Sequence, residues 1–379
     1  GHQVGVISPQ FRSLRLGIKA IKGSYKTQIW QDEKVVTYSK HDVFWFPKIP
    51  YLDLRRWVNT GLKLFKKYIE IYGRPDVLHV QSIFFAGPLA LEISKKYQIP
   101  YCITEHSSTF ARDLISKWQF DIFSKVVRNA AVCLAVSQSL CDLLEQKFID
   151  SKWNFCPNLL DQRFVQADSY NTQKAYTFCA VARLHHNKGF DLLLQAFSIF
   201  VKKYPNTNLV IGGDGPEKKS LIELAVNLNL REKVIFLGQL ERDQVKNLMR
   251  ESRFYVVSSH VETFGVVVIE ALSQGIPVIS TKCGGPESIL TQEDGYLVDV
   301  NNVDALVDGM KNILANSEKF NSEEYYKKAC DTGIFKACYN LGYMYEQGQG
   351  VEQNFDKAIE IYNPTANPIS LTNYNIKIY

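Results

Sequence analysis

Residues 254–300 constrain the fold more than any other part of the chain. They begin with a short apolar run, 254–258, whose aromatic and β-branched residues are typical of a buried parallel strand. A polar loop follows, then a predicted helix over 266–273, a Gly-Ile-Pro turn and a second β-rich run over 278–281. Alternation of this kind predicts an α/β fold with a parallel sheet.

Two acidic residues, Glu262 and Glu270, stand at the end of the first predicted strand and inside the following helix. Ligands of open parallel sheets bind outside the carboxyl ends of the strands, and a helix N-terminus there offers free N–H groups to phosphate. One carboxylate at each position can hold sugar hydroxyls. The alternative is a pair of solvated surface carboxylates, but the flanking apolar and glycine residues favour a site.

Length and composition restrict the function classes. A chain of 379 residues is long enough for two domains with cores of their own. No apolar run approaches the roughly 20 residues that a membrane helix needs. The net charge of +5, from 44 basic and 39 acidic residues, suits an anionic small ligand or an acidic membrane face. It gives no ground for a nucleic-acid partner.

Two further loops carry candidate phosphate contacts. Arg183 and Lys188 follow the β-rich run 176–182 and precede a predicted helix, where basic residues can clamp a diphosphate. The alternative is a solvated basic loop. Gly213 lies in a glycine-rich turn after the run 209–211, a signal that is weak alone because such turns often serve only geometry.

The adjacent His185 and His186 have no acid or cysteine beside them, so the sequence predicts no metal site there. The cysteines at 102, 133 and 179 stand in apolar contexts, which is typical of buried free thiols in a reducing compartment.

A predicted helix over 54–72 has apolar residues at helical spacing and a basic remainder. One interpretation is an amphipathic surface that rests on anionic lipid. The favoured alternative is a helix packed on the sheet with a solvated cationic face. The basic residues are Arg55, Arg56, Lys63, Lys66 and Lys67.

Two histidines, His79 and His106, stand at the ends of the predicted strands 76–81 and 100–104. A single histidine in such a place is more often a hydrogen-bonded structural residue than a ligand contact. On position alone, both histidines are expected to be structural.

The run Glu262-Thr-Phe-Gly265 with Glu270, followed by Gly-Ile-Pro-Val-Ile at 275–279 and Gly-Gly-Pro-Glu at 284–287, resembles the E-x7-E signature of the GT-B glycosyltransferases called family 4 or group 1. The resemblance implies two Rossmann-like domains with parallel sheets that face a cleft. Residues 1–160 would form the acceptor side and residues 161–316 the nucleotide-sugar donor side.

The implied activity is transfer of a sugar from a nucleotide-diphospho-sugar to a glycan or lipid-linked acceptor, with retention and without metal or other cofactor. By the same resemblance, Arg183 and Lys188 bind the pyrophosphate, Glu262 the sugar hydroxyls and Glu270 the ribose. His106, in a Thr-x-His run, would touch the sugar from the other domain. The remaining implied donor-binding residues are Gly213, Leu240, Phe264, Gly265 and Val266.

In the similar family, a sequence like the opening Gly-His comes after a first strand, a glycine-rich loop and a helix. A unit on the order of 30 residues is therefore expected to be missing, which puts transfer by this chain in doubt. The alternative function is an inactive nucleotide-sugar binder or a protein-interaction module. A nucleotide-sugar epimerase is a weaker alternative, because the E-x7-E signature argues against it.

Residues 323–362 resemble a Sel1 repeat, a relative of the TPR helix pair, and imply a protein partner. Residues 363–379 are expected to be a loose tail. Cys330 and Cys338 have a spacing found as a disulfide in exported Sel1 proteins, but we expect them to be reduced here. The expected location is the cytoplasm, with peripheral contact at the cytoplasmic face of the inner membrane, in surface polysaccharide or lipopolysaccharide synthesis.

Overall fold

A computed structural model of the chain describes residues 3–21, 25–32, 35–164 and 174–317. They form two compact units. The first takes the described residues up to Ala135 together with Cys141–Cys156, and the second takes Val136–Leu140 and the described residues from Pro157 onward. The Sel1-like segment, the tail, Cys330 and Cys338 lie outside the described residues.

The first unit contains two sheets. In one, β1 and β3 are parallel and β2 is antiparallel to β3, in the order β1–β3–β2; in the other, four parallel strands follow chain order. The strands are β1 (Val4–Ser13), β2 (Thr27–Asp32), β3 (Val35–Phe44), β4 (Leu78–Gln81), β5 (Tyr101–Glu105), β6 (Val132–Ala135) and β7 (Trp153–Phe155). The helices are α1 (Ile18–Ile21), α2 (Pro50–Tyr72), α3 (Ile83–Tyr97), α4 (Lys117–Arg128) and, from Cys141 onward, α5 (Gln138–Lys147).

The start of the chain differs from the sequence-based expectation. The residue pattern of the sequence predicts two short strands, 35–38 and 43–46, but the structure has one strand, β3, that ends at Phe44. The polar residues between the two pieces join it, because they pair with β1 on one side and partly with β2 on the other. Ser39 of β3 also donates its hydroxyl to the Ser8 carbonyl at 2.8 Å. The edge strand β2 was not predicted, since its mostly exposed side chains give no apolar alternation.

The apolar face of α2 is covered by the first unit itself. Leu54, Trp57, Val58 and Phe65 are buried in one cluster, and the indole N–H of Trp57 donates to the Pro9 carbonyl at 3.0 Å. The side chains of the exposed basic positions 55, 63, 66 and 67 lie on the opposite face. This arrangement supports a helix packed on its own domain. Within the described ranges, no helix is long and apolar enough to cross a bilayer.

A cavity of about 510 Å³ lies between β1 and β4, the edge strands of the two sheets of the first unit. Residues 4–8 of β1 and 78–81 of β4 line its sides, and Trp57, Phe65 and Tyr68 of α2 contribute apolar surface. In the strand order, no described strand of one sheet pairs with a strand of the other.

The second unit is built on one sheet of six parallel strands in the order β10–β9–β8–β11–β12–β13. The order reverses between β8 and β11, and such a switch point is where open α/β sheets bind ligands. The strands are β8 (Tyr176–Val181), β9 (Leu209–Gly212), β10 (Val234–Gly238), β11 (Ser252–Val257), β12 (Val278–Thr281) and β13 (Gly295–Val298). The helices are α6 (Phe190–Lys203), α7 (Lys218–Asn227), α8 (Arg242–Glu251), α9 (Val266–Ser273) and α10 (Val303–Ala315).

Aromatic side chains fill the core between this sheet and α6. Phe178, Phe197 and Phe200 are fully buried, and the rings of Phe178 and Phe200 meet edge-to-face at 5.4 Å. Aromatic pairs of this geometry add to the free energy gained by burying their surface. The unit therefore has an apolar core of its own, independent of any ligand.

We predict that Phe197→Ala lowers the free energy of unfolding of the second unit by about 3–5 kcal/mol, because it removes a fully buried ring. Urea denaturation followed by far-UV circular dichroism measures it, since the five tryptophans lie in the first unit and do not report on the second. The control is Ile199→Ala on the same helix, where the side chain is 45% exposed. Equal shifts for both variants would contradict this account of the core.

Candidate active site

The loops after β8, β9 and β11 are hydrogen-bonded to one another at the carboxyl edge of the second sheet. The Leu184 amide donates to the Asp214 carbonyl at 2.9 Å, which joins the loops after β8 and β9. The His260 amide donates to the Asn187 carbonyl at 2.9 Å, which joins the loops after β11 and β8. The chain thus brings loops distant in sequence to one edge, next to the switch point.

Two glycines allow this close approach. Gly213 has φ 131°, and a Cβ there would lie 1.9 Å from the Ala182 carbonyl oxygen. Gly189 has φ 61°, and a Cβ there would lie 2.0 Å from the Ser258 carbonyl oxygen. Only glycine fits at such positions, because any side chain would both clash and hold the backbone in a disfavoured region. The predicted site residue Gly213 is therefore a position of backbone contact.

Lys188 and Glu262, predicted to bind phosphate and sugar, form an ion pair with each other. Their side chains are 22% and 16% exposed, so the pair is only partly shielded from water. Ser259 donates its hydroxyl to the same carboxylate oxygen at 2.9 Å. The main chain of Glu262 is fixed as well, since its amide donates to the Cys283 carbonyl at 2.8 Å. Both side chains are thus held at the loop edge.

Glu270, predicted to bind ribose, is completely buried on α9. One carboxylate oxygen accepts a hydrogen bond from Arg242, the first residue of α8, and among the described residues the other oxygen has no partner. Burial raises the pKa of Glu270, and Arg242 opposes that shift. The carboxylate therefore keeps one acceptor open.

Arg242 was not predicted from the sequence. A cation in the first turn of a helix is disfavoured by the helix dipole, so its place after β10 was a signal that an acidic partner lies nearby. The partner could not be identified, because Glu270 is 28 positions away on another helix.

The other predicted donor-binding residues lie along the same edge. Phe264 is buried, Gly265 with φ 88° precedes the first turn of α9, and Val266 begins that helix. Leu240 follows β10, and a Cβ added at Gly212 would lie 2.6 Å from its side chain, so the two residues are in close contact. Arg183 is exposed in the loop after β8.

His106 belongs to the first unit and follows β5 with an exposed side chain. Its amide donates to the Glu105 carboxylate at 3.0 Å, and the same buried carboxylate accepts from the Ile83 amide at 2.8 Å. Glu105 was not predicted from the sequence, although an acid at the end of an apolar strand was a signal. The Nε2 atom of His79 lies 2.7 Å from the Thr104 hydroxyl. The pKa of His79 is lowered, first by burial and second by the nearby His106.

In the part of the chain that the structure describes, no group of three or more His, Cys, Asp or Glu side chains could hold a metal ion. The six cysteines there are free thiols, five of them buried and Cys156 half-buried. Burial raises the pKa of Cys133 to about 12, so this thiol is protonated and inert at neutral pH.

Known protein families match nearly the whole chain. The family described as Glycosyltransferase Family 4 matches residues 1–163, and the family described as Glycosyl transferases group 1 matches residues 161–329. The family described as Sel1 repeat matches residues 335–367. The first two matches meet at residues 161–163, close to Pro157, where the chain passes from the first compact unit to the second.

Two of the individual relatives have names that refer to N-acetylglucosamine. One subunit of human phosphatidylinositol N-acetylglucosaminyltransferase is 28% identical over 255 residues, which is 65% of this chain and 53% of that protein. N-acetyl-alpha-D-glucosaminyl L-malate synthase of Bacillus anthracis is 28% identical over 304 residues, or 75% of this chain and 74% of that protein. The chain spans about half the length of several curated relatives.

Solved structures share the fold. Sucrose-phosphate synthase from Thermosynechococcus elongatus aligns with a TM-score of 0.66 at 16% identity and covers 94% of this chain and 97% of its own. Anabaena HepE in complex with UDP aligns with a TM-score of 0.61 at 17% identity, over 86% and 84%. At such identities the likeness concerns the fold alone.

Two α/β units, the second with a parallel sheet and glycine-lined loops at its carboxyl edge, fit the architecture of the glycosyltransferases built from two Rossmann-like domains. The chain belongs to the GT-B glycosyltransferases of group 1 and family 4, with a Sel1 repeat after them. The predicted family and fold are confirmed. The domain boundaries and the roles of the site residues stay predictions.

We predict that Gly213→Ala lowers stability by more than Gly238→Ala does. Both glycines have positive φ, a strain of about 1–2 kcal/mol for alanine, but at Gly238 the nearest atom is the flexible Lys218 Nζ at 3.5 Å. At Gly213 the added carbon would meet the rigid Ala182 carbonyl. Midpoints of urea unfolding test this difference, and equal midpoints would contradict the close loop packing.

Proposed function

We propose that this protein transfers a sugar from a nucleotide-diphospho-sugar to a hydroxyl of a glycan or lipid-linked acceptor, with retention and without a metal. The observation that carries the proposal is the arrangement of Lys188, Glu262 and Glu270 on the edge of the second sheet. The names of two relatives support this class of reaction: the human protein belongs to an N-acetylglucosaminyltransferase, and the Bacillus anthracis protein is an N-acetylglucosaminyl malate synthase.

The departing diphosphate would be stabilised by protein charges. Arg183 is exposed and Lys188 half-buried at neighbouring positions of one loop, and the N–H groups at the start of α9 lie on the same edge. Groups fixed before the reaction stabilise developing negative charge without reorganising, which is the role that a divalent cation has in other enzymes. Because Lys188 is paired with Glu262 beforehand, its ammonium group is already oriented when the donor arrives.

The two glutamates would have separate tasks. Glu262, held by Ser259 and Lys188, would accept hydrogen bonds from the hydroxyls of the transferred sugar. Glu270 would accept a hydrogen bond from the ribose through its open oxygen. A buried acceptor left unpaired is costly, so binding of a hydroxyl there is favourable.

His106 would contact the transferred sugar from the first unit. The buried Glu105 carboxylate holds the backbone at this place, because it accepts from the amides of His106, Ser107 and Ile83. The imidazole is then presented from a fixed turn rather than from a flexible loop. No residue is proposed as a covalent nucleophile.

We further propose that the enzyme acts in the cytoplasm on surface polysaccharide or lipopolysaccharide, with peripheral contact at the cytoplasmic face of the inner membrane. The exposed basic residues Arg55, Lys63, Lys66 and Lys67 of α2 would provide this contact by charge alone, because the apolar face of the helix is packed inside the first unit. The Sel1 repeat would bind a protein partner.

We predict micromolar binding of one donor when the chain is titrated with UDP-, GDP- and CMP-sugars by calorimetry. The double variant Arg183→Ala with Glu270→Ala should bind at least roughly tenfold more weakly, since it loses charged contacts to the diphosphate and the ribose. Lys219→Ala, with a side chain 91% exposed on α7, is the control and should bind as the wild type does. A folded chain that binds no donor would overturn the donor-site assignment.

We also predict that Glu262→Gln weakens binding of the sugar more than binding of the nucleotide. Affinity for the nucleotide-sugar should fall, because a carboxylate that accepts from sugar hydroxyls is lost. Affinity for the nucleoside diphosphate should fall less, because the ammonium group of Lys188 keeps its charge after it loses its partner in the ion pair. Calorimetry with both ligands measures this, and an equal loss for both would contradict the role of Glu262. Binding without transfer to any acceptor would favour an inactive nucleotide-sugar binder.

A further inference from the structure

We propose that Arg242 is a positioning residue for the donor site, which holds the Glu270 carboxylate so that its open oxygen meets a ribose hydroxyl. The proposal rests on the donor binding proposed above and adds a residue that the sequence signature does not contain. Arg242 lies at the start of α8, after the strand β10.

The two oxygens of the Glu270 carboxylate differ in their hydrogen bonding. Oε1 accepts from the guanidinium of Arg242, while Oε2 is buried and has no partner among the described residues. A hydrogen bond to one oxygen limits the rotation of the carboxylate, so the other oxygen keeps one direction. A ribose supplies the complementary chemistry, since its vicinal hydroxyls are hydrogen-bond donors.

Arg242 is itself fixed from a second side. Its Nε lies 3.5 Å from Asp161 Oδ2, and its guanidinium lies 4.8 Å from the centre of the Phe164 ring, within the range of a cation–π contact. Gln274 donates its side-chain amide to the Phe164 carbonyl at 3.0 Å and so anchors this segment. The planar guanidinium can serve these partners together, which the point charge of a lysine could not.

A purely structural role would be charge compensation for a buried acid. That role predicts a loss of stability in variants of Arg242 but no change in the selectivity for ribose. A positioning role predicts that selectivity for the ribose hydroxyls is lost even where the protein stays folded. Selectivity between ribose and dideoxyribose therefore distinguishes the two.

The charge environment gives a second readout. Glu270 faces Arg242 on α8, Asp161 in the segment before β8, and Tyr255 on β11. Burial raises the pKa of Glu270, Arg242 lowers it and Asp161 raises it. Removal of Arg242 would move the pKa of Glu270 further up, so more of this carboxyl group would be protonated at a given pH. Binding to the variant should then weaken towards low pH more than binding to the wild type.

The experiment is calorimetry with UDP and GDP, each beside its 2′,3′-dideoxy analogue, from pH 6 to 8.5. The wild type should prefer the ribose form of one nucleotide by roughly tenfold to a hundredfold. Arg242→Met should lose most of this preference and gain a pH dependence. Arg242→Gln keeps a hydrogen-bond donor without the charge and is the second variant, in case the first does not fold. Thermal unfolding verifies folding.

The matched control is Arg231→Met, an exposed arginine of the same unit, which should keep the wild-type preference. A wild type that prefers ribose, beside folded Arg242 variants with the same preference and pH profile, would overturn this inference alone. A wild type that binds neither nucleoside diphosphate would overturn the proposed function and this inference with it.

Discussion

The close contact of main chains at the carboxyl edge of the second sheet is the constraint on which the site depends. Gly189 and Gly213 let three loops approach within hydrogen-bond distance, and the side chains of Lys188 and Glu262 are paired because of it. The parallel sheet sets the direction of every strand, so the loops that follow them share one edge. The charged residues can therefore meet only because these positions are glycine, although glycine has no side chain to contact a ligand.

Two buried glutamates show how local structure decides the task of a carboxylate. Glu105 is saturated by main-chain amides and by the hydroxyl of Ser82, so its hydrogen bonds hold a turn together. Glu270 has one oxygen bound to Arg242 and one without a partner among the described residues, so it keeps the capacity to bind. Both side chains are fully buried, and the donors around them decide which of the two can still accept a hydrogen bond from a ligand.

The sequence predicts most of the second unit, because its strands are continuous apolar runs and its loops carry glycine and charge at regular places. It places Lys188, Glu262 and Glu270 on one edge for the same reason. Arg242 could not be paired with Glu270, since contacts between helices depend on the packing of the sheet beneath them. The strand β2 was missed and β3 was divided in two, because a sheet that leaves side chains exposed does not need apolar alternation.

The cavity between β1 and β4 has a consequence for how the first unit opens. Among the described strands, β1 pairs only with β3 and β4 only with β5, so each has one edge without a strand beside it. Central strands such as β8, with neighbours on both sides, open only with their whole sheet. We therefore expect amide protons along β1 and β4 to exchange with solvent through local opening, and those of β8 to report the global stability of their unit.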